Sequence, residues 1–452
     1  MQTPHIAAPQ GALPHAQWLL DATPSGFEPL TLSLCFAAAV LLSFVLKLWL
    51  AGRQVRHVVQ HRAAVPEAFA HKVPLAAHQK AADYTVAKHR VGLWHLMWDT
   101  GLLLGWTLLG GLHLLNQAVL ELVPHWGPMA YQLTLLGGFA LLSGLLDLPW
   151  SLYQTFVVEE RFGFNRSTLK LFVMDSLKGL LVGALLGLPL AALVLWLMAS
   201  AGGLWWLWAW GVWMGFNVLM LVLYPTLIAP LFNRFEPLSD TALQARVQAL
   251  MQRCGFAARG LFVMDGSRRS AHGNAYFTGM GSAKRVVFFD TLLQRLNAEE
   301  VEAVLAHELG HFKRRHVTQR LVLGCLMSLA GFALLGWLSQ QMSFYLGLGV
   351  RPALGAPNDA LALLLFVLAL PPFTFLLTPL MAHWSRKHEF EADAFACAHA
   401  SGADLSQALL KLHEDNAGTL TPDPLFARFY YSHPPASERL GAIALLSARP
   451  AR

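Results

Sequence analysis

The sequence predicts a mainly α-helical integral membrane protein with a small α+β unit set between its fifth and sixth spans. Three observations carry that prediction. Of the 452 residues, 55% are hydrophobic and only 13% charged, an unusual balance for a soluble chain. Seven apolar runs each reach or exceed the ~20 residues that a helix needs to cross hydrocarbon. The connections between those runs alternate between basic and not basic, as a multi-span protein requires.

Residues 1–29 carry no Lys or Arg and so lack the positive start of a secretory signal peptide. The runs then follow at Leu30–Leu50, Val91–Leu115, Ala130–Phe156, Leu169–Met198, Leu204–Leu231, Val317–Phe344 and Ala360–His383. The second is diluted by His95, Asp99 and His113. Connections Ala51–Arg90, Glu159–Arg166 and Phe232–His316, and the tail, hold Lys or Arg, whereas Asn116–Met129 and Ala199–Gly203 hold none. The sixth connection has only Arg351. The positive-inside rule then sets the N-terminus outside and Phe232–His316 on the cytoplasmic side. Asp99, Asp147, Asp175 and Lys178 fall inside runs. Such charges either pair, as Asp175 can with Lys178 three residues on, or face a wet interior.

The division that follows has four parts: 1–231, with five spans and a basic first cytoplasmic loop; 232–316, of soluble character; 317–384, with spans six and seven; and 385–452, with C-terminal helices. In the soluble part, Gly260–Asp265 and Arg285–Asp290 read as short strands rich in β-branched and aromatic residues. Between them Asn274-Ala275-Tyr276-Phe277 reads as an edge strand, whose free backbone groups can pair with an extended peptide. After the seventh run, helical stretches are expected at about Ser385–Ala400, Leu405–Asn416 and from Ser437.

A helix is expected from Ala298, capped by Asn297 with Glu300 three residues later. It carries His307-Glu308-Leu309-Gly310-His311. Residues four apart share a helix face, so His307 and His311 can direct ring nitrogens at one metal, with Glu308 beside them to act on a water. This is a zinc-peptidase signature. The four cysteines have no C-x-x-C spacing, so His and carboxylates must supply the metal chemistry. A catalytic zinc takes three protein ligands and leaves a fourth position for water. Candidates for the third are His383, His388, Glu389, Glu391, Asp393 and His399. Helix geometry favours Glu389, because Asp393 one turn later can hold a ligand histidine. Glu391 points to roughly the opposite side, so Glu391→Ala is expected to keep both zinc and activity.

Glu389-Phe390-Glu391-Ala392-Asp393 also matches the E-x-x-x-D element that follows H-E-x-x-H in integral-membrane gluzincins. The chain resembles the type I CAAX prenyl proteases and their bacterial relatives over roughly residues 30–445. Further matches are Glu159–Asn165, Leu231-Phe232-Asn233, Arg269–Phe277, Ser385-Arg386-Lys387, Tyr431–Pro435 and Glu438-Arg439-Leu440. The resemblance implies that His307, His311 and Glu389 bind one Zn²⁺ per chain, that Glu308 is the general base, and that Asp393 orients a ligand. It implies that Asn274 holds the substrate backbone and that His433 and Arg439 face the scissile carbonyl. Read without it, His433 is a loop histidine, Arg439 a surface charge and Asn274 a turn residue. The family fold implied is a ring of seven long helices around a water-filled chamber, capped by the zinc domain.

The function expected is membrane zinc endopeptidase. Alternatives are a quality-control protease of the HtpX heat-shock type, a transporter with an incidental metal site, and a zinc-stabilised scaffold. Expected partners are the lipid bilayer and a peptide or protein substrate, prenylated or membrane-associated, and no nucleic acid. Arg outnumbers Lys, Ala and Leu abound, and no dilysine retrieval signal ends the chain. A bacterial inner membrane is therefore favoured, or the endoplasmic reticulum if the source is eukaryotic.

Overall fold

The computed structural model describes residues 27–256, 260–278, 285–353 and 355–448; the neutral stretch 1–26 lies outside them. Helices of seven or more residues come first as α1 (Pro29–Gln60), α2 (Leu75–Trp106), α3 (Gly111–Leu122), α4 (Pro128–Tyr153), α5 (Leu169–Ser200) and α6 (Trp205–Leu223). There follow α7 (Thr241–Arg253), α8 (Ala298–Lys313), α9 (His316–Leu338), α10 (Asp359–Thr374) and α11 (Thr378–His399). The C-terminal helices are α12 (Gly402–Asp415), α13 (Pro424–Tyr430) and α14 (Ala436–Ser447).

Among the described residues, six helical rods are long and apolar enough to span a bilayer, and the bent pair α2–α3 makes a seventh. The diluted second run is therefore part of a broken span. α2 ends at Thr107, and α3 restarts after Gly110 with a bend of 56°. Gly110 has φ +79°, a conformation glycine adopts without steric penalty. The basic first connection is mostly helical too, since α1 runs on to Gln60 and α2 begins at Leu75. At the other end, α10, a 3₁₀ turn and α11 form one 41-residue rod, Asp359–His399. The helix expected from Ser385 is thus a continuation of the seventh span.

The spans close into a ring: α1 packs on α2, then α3, α4, α5, α6, α9 and α10 follow in turn, and α10 returns to α1. A dense apolar cluster plugs one end, built from residues such as Phe36, Leu112, Leu135, Leu195, Tyr345 and Leu361. Between that plug and the soluble end the helices have almost no packed inner face. The only buried residues of α5 are Val194, Leu195 and Met198, and those of α6 are Trp205 and Ala209, all at the plug. A helix that faces lipid outside and touches nothing inside surrounds open space. His95, Asp99 and Asp147 lie in this zone with their side chains 35%, 56% and 59% exposed, and carboxylates at membrane depth need water. The ring therefore encloses a hydrated chamber.

Asp175 does not pair with Lys178. It accepts from Arg269 Nε and Nη2 at 2.8 and 3.1 Å, while Lys178 Nζ donates to the Leu231 carbonyl at 2.9 Å. Arg269 also donates to Asn233 Oδ1 and the Phe232 carbonyl. One guanidinium so ties the fourth and fifth spans to the soluble segment.

That segment carries a four-stranded sheet in the order β1-β2-β4-β3. Its strands are β1 (Phe235–Pro237), β2 (Gly260–Met264), β3 (Ala275–Thr278) and β4 (Arg285–Phe289). β2 and β4 are parallel, and β1 and β3 pair antiparallel with them. Leu261, Val286 and Phe288 pack with Val247 and Leu250 of α7 and with Val301 and Leu305 of α8. β1 was not anticipated, because three residues ending in Pro carry no period-2 signal.

Candidate active site

The capping of α8 explains why the two histidines sit where they do. Asn297 Oδ1 accepts from the Glu300 backbone N–H at 2.8 Å, and Glu300 Oε2 accepts from the Asn297 N–H at 2.9 Å. Both partners of the capping box are satisfied, which fixes the start of the helix. Val301, Leu305 and Leu309 turn into the core, and that sets the rotation of His307 and His311.

α8 crosses α11 at its closest between Gly310 and Ala392. A Cβ on Gly310 would lie 3.0 Å from Ala392 Cα, so only glycine allows this approach without a shift. The crossing brings Glu389 onto the histidines: His307 Nε2 is 3.4 Å from Glu389 Oε2, and His311 Nε2 is 3.4 Å from Glu389 Oε1. Gly310→Val should force the helices apart, lower stability by about 1–3 kcal/mol as overpacking does, and weaken metal binding. Thermal unfolding with and without added zinc measures both effects.

Behind these groups lies a second layer. Asp393 is wholly buried, and its Oδ1 accepts from His307 Nδ1 at 2.8 Å. Arg439, also buried, donates from Nε and Nη2 to both oxygens of Asp393 at 2.8 and 2.5 Å. The surface-charge reading of Arg439 therefore fails. Its bidentate bond is to Asp393, and Nη1 remains 3.8 Å from Glu389 Oε2. His433 Nε2 comes within 3.5 Å of Glu389 Oε1, and Ser432 Oγ lies 3.0 Å from its Nδ1.

A cavity of about 590 Å³ opens on this cluster, lined by Glu308, Glu389, His433, Arg439, Asn274 and Tyr84 among others. Burial pushes the Glu308 carboxyl above its usual range. Burial opposes a charge on His307, yet its bond to Asp393 and the Glu389 carboxylate 3.4 Å away outweigh it and raise its pKa to about 9. Burial, then the neighbouring His307, lowers that of His311 to about 3. Asn274 precedes β3 on the outer side of the sheet; its carbonyl accepts from Phe289 N–H at 3.0 Å and its Oδ1 from Ala275 N–H at 2.8 Å.

The donor set fits a metal ion. His307, His311 and Glu389 each offer a ligand atom within 4.8 Å of the others, and Glu389 Oε2 is buried with no hydrogen-bond partner. Two imidazoles and a carboxylate make the His₂Glu set of catalytic zinc sites. A second triad, His95, Asp99 and Asp147, lies in the chamber, more exposed.

The comparisons agree with this geometry. A family model described as CAAX prenyl protease N-terminal, five membrane helices, matches residues 54–234, and one described as peptidase family M48 matches 237–446. CAAX prenyl protease 1 homolog of Homo sapiens is 31% identical over 456 residues, covering 90% of this chain and 95% of its own. The chain belongs to the type I CAAX prenyl protease family of M48 peptidases. The Arabidopsis thaliana homolog is 37% identical over 316 residues, 69% of this chain and 73% of its own. The crystal structure of S. mikatae Ste24p superposes with a TM-score of 0.85 at 30% identity, covering 91% of this chain and 98% of that one. The protein is thus a multi-pass membrane metalloendopeptidase of this family, acting on peptide or protein substrates with a metal cofactor. The match through the N-terminal helices separates it from the heat-shock-type alternative, and the peptidase match from the non-enzymatic ones.

Sequence reasoning gave no role to two groups beside the site. His316 and Glu391 form a bonded pair behind His311; the only signal was a further histidine five residues past His311. Glu159, within one of the matched motifs, accepts from Tyr84 Oη at 2.7 Å and Gln154 Nε2 at 3.0 Å, and its Oε2 lies 3.7 Å from His272 Nε2.

Proposed function

We propose that the chain is a zinc endopeptidase in which His307, His311 and Glu389 hold one Zn²⁺ and Glu308 is the general base. The observation that carries this reading is the buried Glu389 carboxylate, whose Oε2 has no hydrogen-bond partner and lies 3.4 Å from His307 Nε2 while its Oε1 lies 3.4 Å from His311 Nε2. Zinc in that position would lower the pKa of a water toward neutrality and polarise the scissile carbonyl. Glu308 takes the water proton and delivers it to the leaving amine. Burial raises its pKa, which strengthens it as a base for the first half of that task. With Ser432 donating to its Nδ1, neutral His433 keeps its proton on Nε2 and can donate to the carbonyl oxygen as negative charge develops. Arg439 acts mainly through Asp393, which fixes the His307 ring. A peptide laid along the outer side of β3 beside Asn274 gains register through backbone hydrogen bonds.

The four-part division stands as part of this proposal; the family models, which change over between residues 234 and 237, support its first boundary. A cytoplasmic active site in a bacterial inner membrane also belongs to it. The basic ends of α1 and α2 lie at the catalytic end of the ring, where Arg53 pairs with Asp423 at 2.8 Å. Cys254 is buried and reports poorly on sidedness. In a chain stripped of its native cysteines, Ala63→Cys should resist an impermeant thiol reagent in intact cells and His125→Cys should react. The reverse pattern would invert the topology.

Prenylated C-a-a-X peptides are the proposed substrates, but recognition of backbone is open to any extended peptide. Buried alkyl carbon contributes ~0.8 kcal/mol per CH₂ wherever it packs. Matched peptides carrying a farnesyl group or a plain alkyl chain of similar length are expected to differ by less than about a hundredfold in kcat/KM. A larger preference would require a dedicated prenyl pocket.

A further inference from the structure

His311 can present a lone pair from Nε2 only if its proton sits on Nδ1, and the structure shows what receives that proton. His311 Nδ1 lies 3.0 Å from His316 Nδ1, and His316 Nε2 lies 2.9 Å from Glu391 Oε2. An ionised carboxylate only accepts, so His316 Nε2 is the donor in the second bond. A neutral His316 bonded in this way has only a lone pair left on Nδ1, which makes His311 Nδ1 the donor in the first. His311 Nε2 is left unprotonated, 3.3 Å from His307 Nε2 and 3.4 Å from Glu389 Oε1. We infer that Glu391 and His316 form a positioning arm that sets the tautomer and ring plane of His311, as Asp393 does for His307.

The surroundings make that arm stiff. His316 is 1% exposed and stacks on His388 with ring centroids 3.9 Å apart and planes 7° from parallel. His388 is held in turn by the edge of Trp384 and by Gln319 Oε1, 3.2 Å from its Nε2. The chain turns back under His311 through Arg315, whose φ of +58° is uncommon for a residue with a side chain. Glu391 keeps its side chain 36% exposed, so it remains charged and able to accept. Sequence spacing gave Glu391 no part in the site and made Glu391→Ala silent; the arm predicts a measurable loss.

The inference rests on His311 being a metal ligand, and the test separates the two. Zinc dissociation constants are measured on the full-length detergent-solubilised protein by chelator competition. His316→Phe keeps a ring to stack on His388 but cannot accept from His311, and Glu391→Ala frees His316. Each should weaken zinc binding by ~10–100-fold, with peptide KM unchanged once zinc is saturating. Glu391→Gln, whose amide oxygen still accepts from His316 Nε2, should restore most of the affinity. If His311→Ala abolishes tight binding while His316→Phe and Glu391→Ala stay within about threefold of wild type, the arm is refuted and the ligand assignment stands. If Glu391→Gln binds as weakly as Glu391→Ala, charge and not the tautomer is at work, and the inference falls. If His311→Ala binds zinc as tightly as wild type, the ligand reading fails and the arm with it.

Discussion

Glu308→Gln is expected to lower peptide hydrolysis by roughly 10²–10⁴-fold, the range a positioned general base contributes, and to leave zinc binding intact. The amide is nearly isosteric with the carboxylate but has no basic site at neutral pH. Glu308 shares the cavity with His307, Glu389 and Arg439, yet the candidate ligand cluster does not include it. The loss should therefore appear in kcat, with KM and metal content close to wild type. Initial rates on a C-a-a-X peptide at saturating zinc decide the matter. A Glu308→Gln protein that turns over at the wild-type rate would place the base elsewhere.

Glu389→Ala should remove zinc and activity together. A bound metal contributes several kcal/mol of transition-state stabilisation, and each 1.36 kcal/mol is tenfold in rate, so activity should fall by more than about 10³. The substitution also removes the only carboxylate in the proposed ligand cluster. Asp393 cannot replace it, because both its oxygens are committed to His307 and Arg439. The variant should still fold, since the carboxylate it removes lies against the ring nitrogens of His307, His311 and His433 and one arginine nitrogen of the site itself. A melting curve close to that of metal-free wild type would show that lost activity is not lost structure.

What was legible in the sequence was what is local. The cap at Asn297, the helical spacing of His307 and His311 and the turn between Glu389 and Asp393 are all encoded within a few residues, and the structure has all three. Among the described residues, the seven apolar runs fall on six helices long and apolar enough to span a bilayer and on one bent pair. The missed features depend on contacts distant in the chain or on single backbone angles. The division at 384/385 separates the seventh span from a further helix, yet one rod, Asp359–His399, runs across that boundary. The bend between α2 and α3 turns on Gly110, one glycine in an apolar run. The Arg269–Asp175 and Arg439–Asp393 bonds join residues 94 and 46 apart, beyond any periodicity. The Glu391–His316–His311 chain needs both a left-handed residue at Arg315 and the packing of α9 beside α11, and neither leaves a mark on hydrophobic spacing.

The account stands or falls on zinc stoichiometry. Metal content should be measured by elemental analysis on purified wild type, Glu308→Gln and Glu389→Ala, after each is loaded with zinc and freed of excess by gel filtration. The account predicts one zinc per chain in the first two proteins and none in the third. A full equivalent of zinc in Glu389→Ala, or its absence from Glu308→Gln, would contradict it.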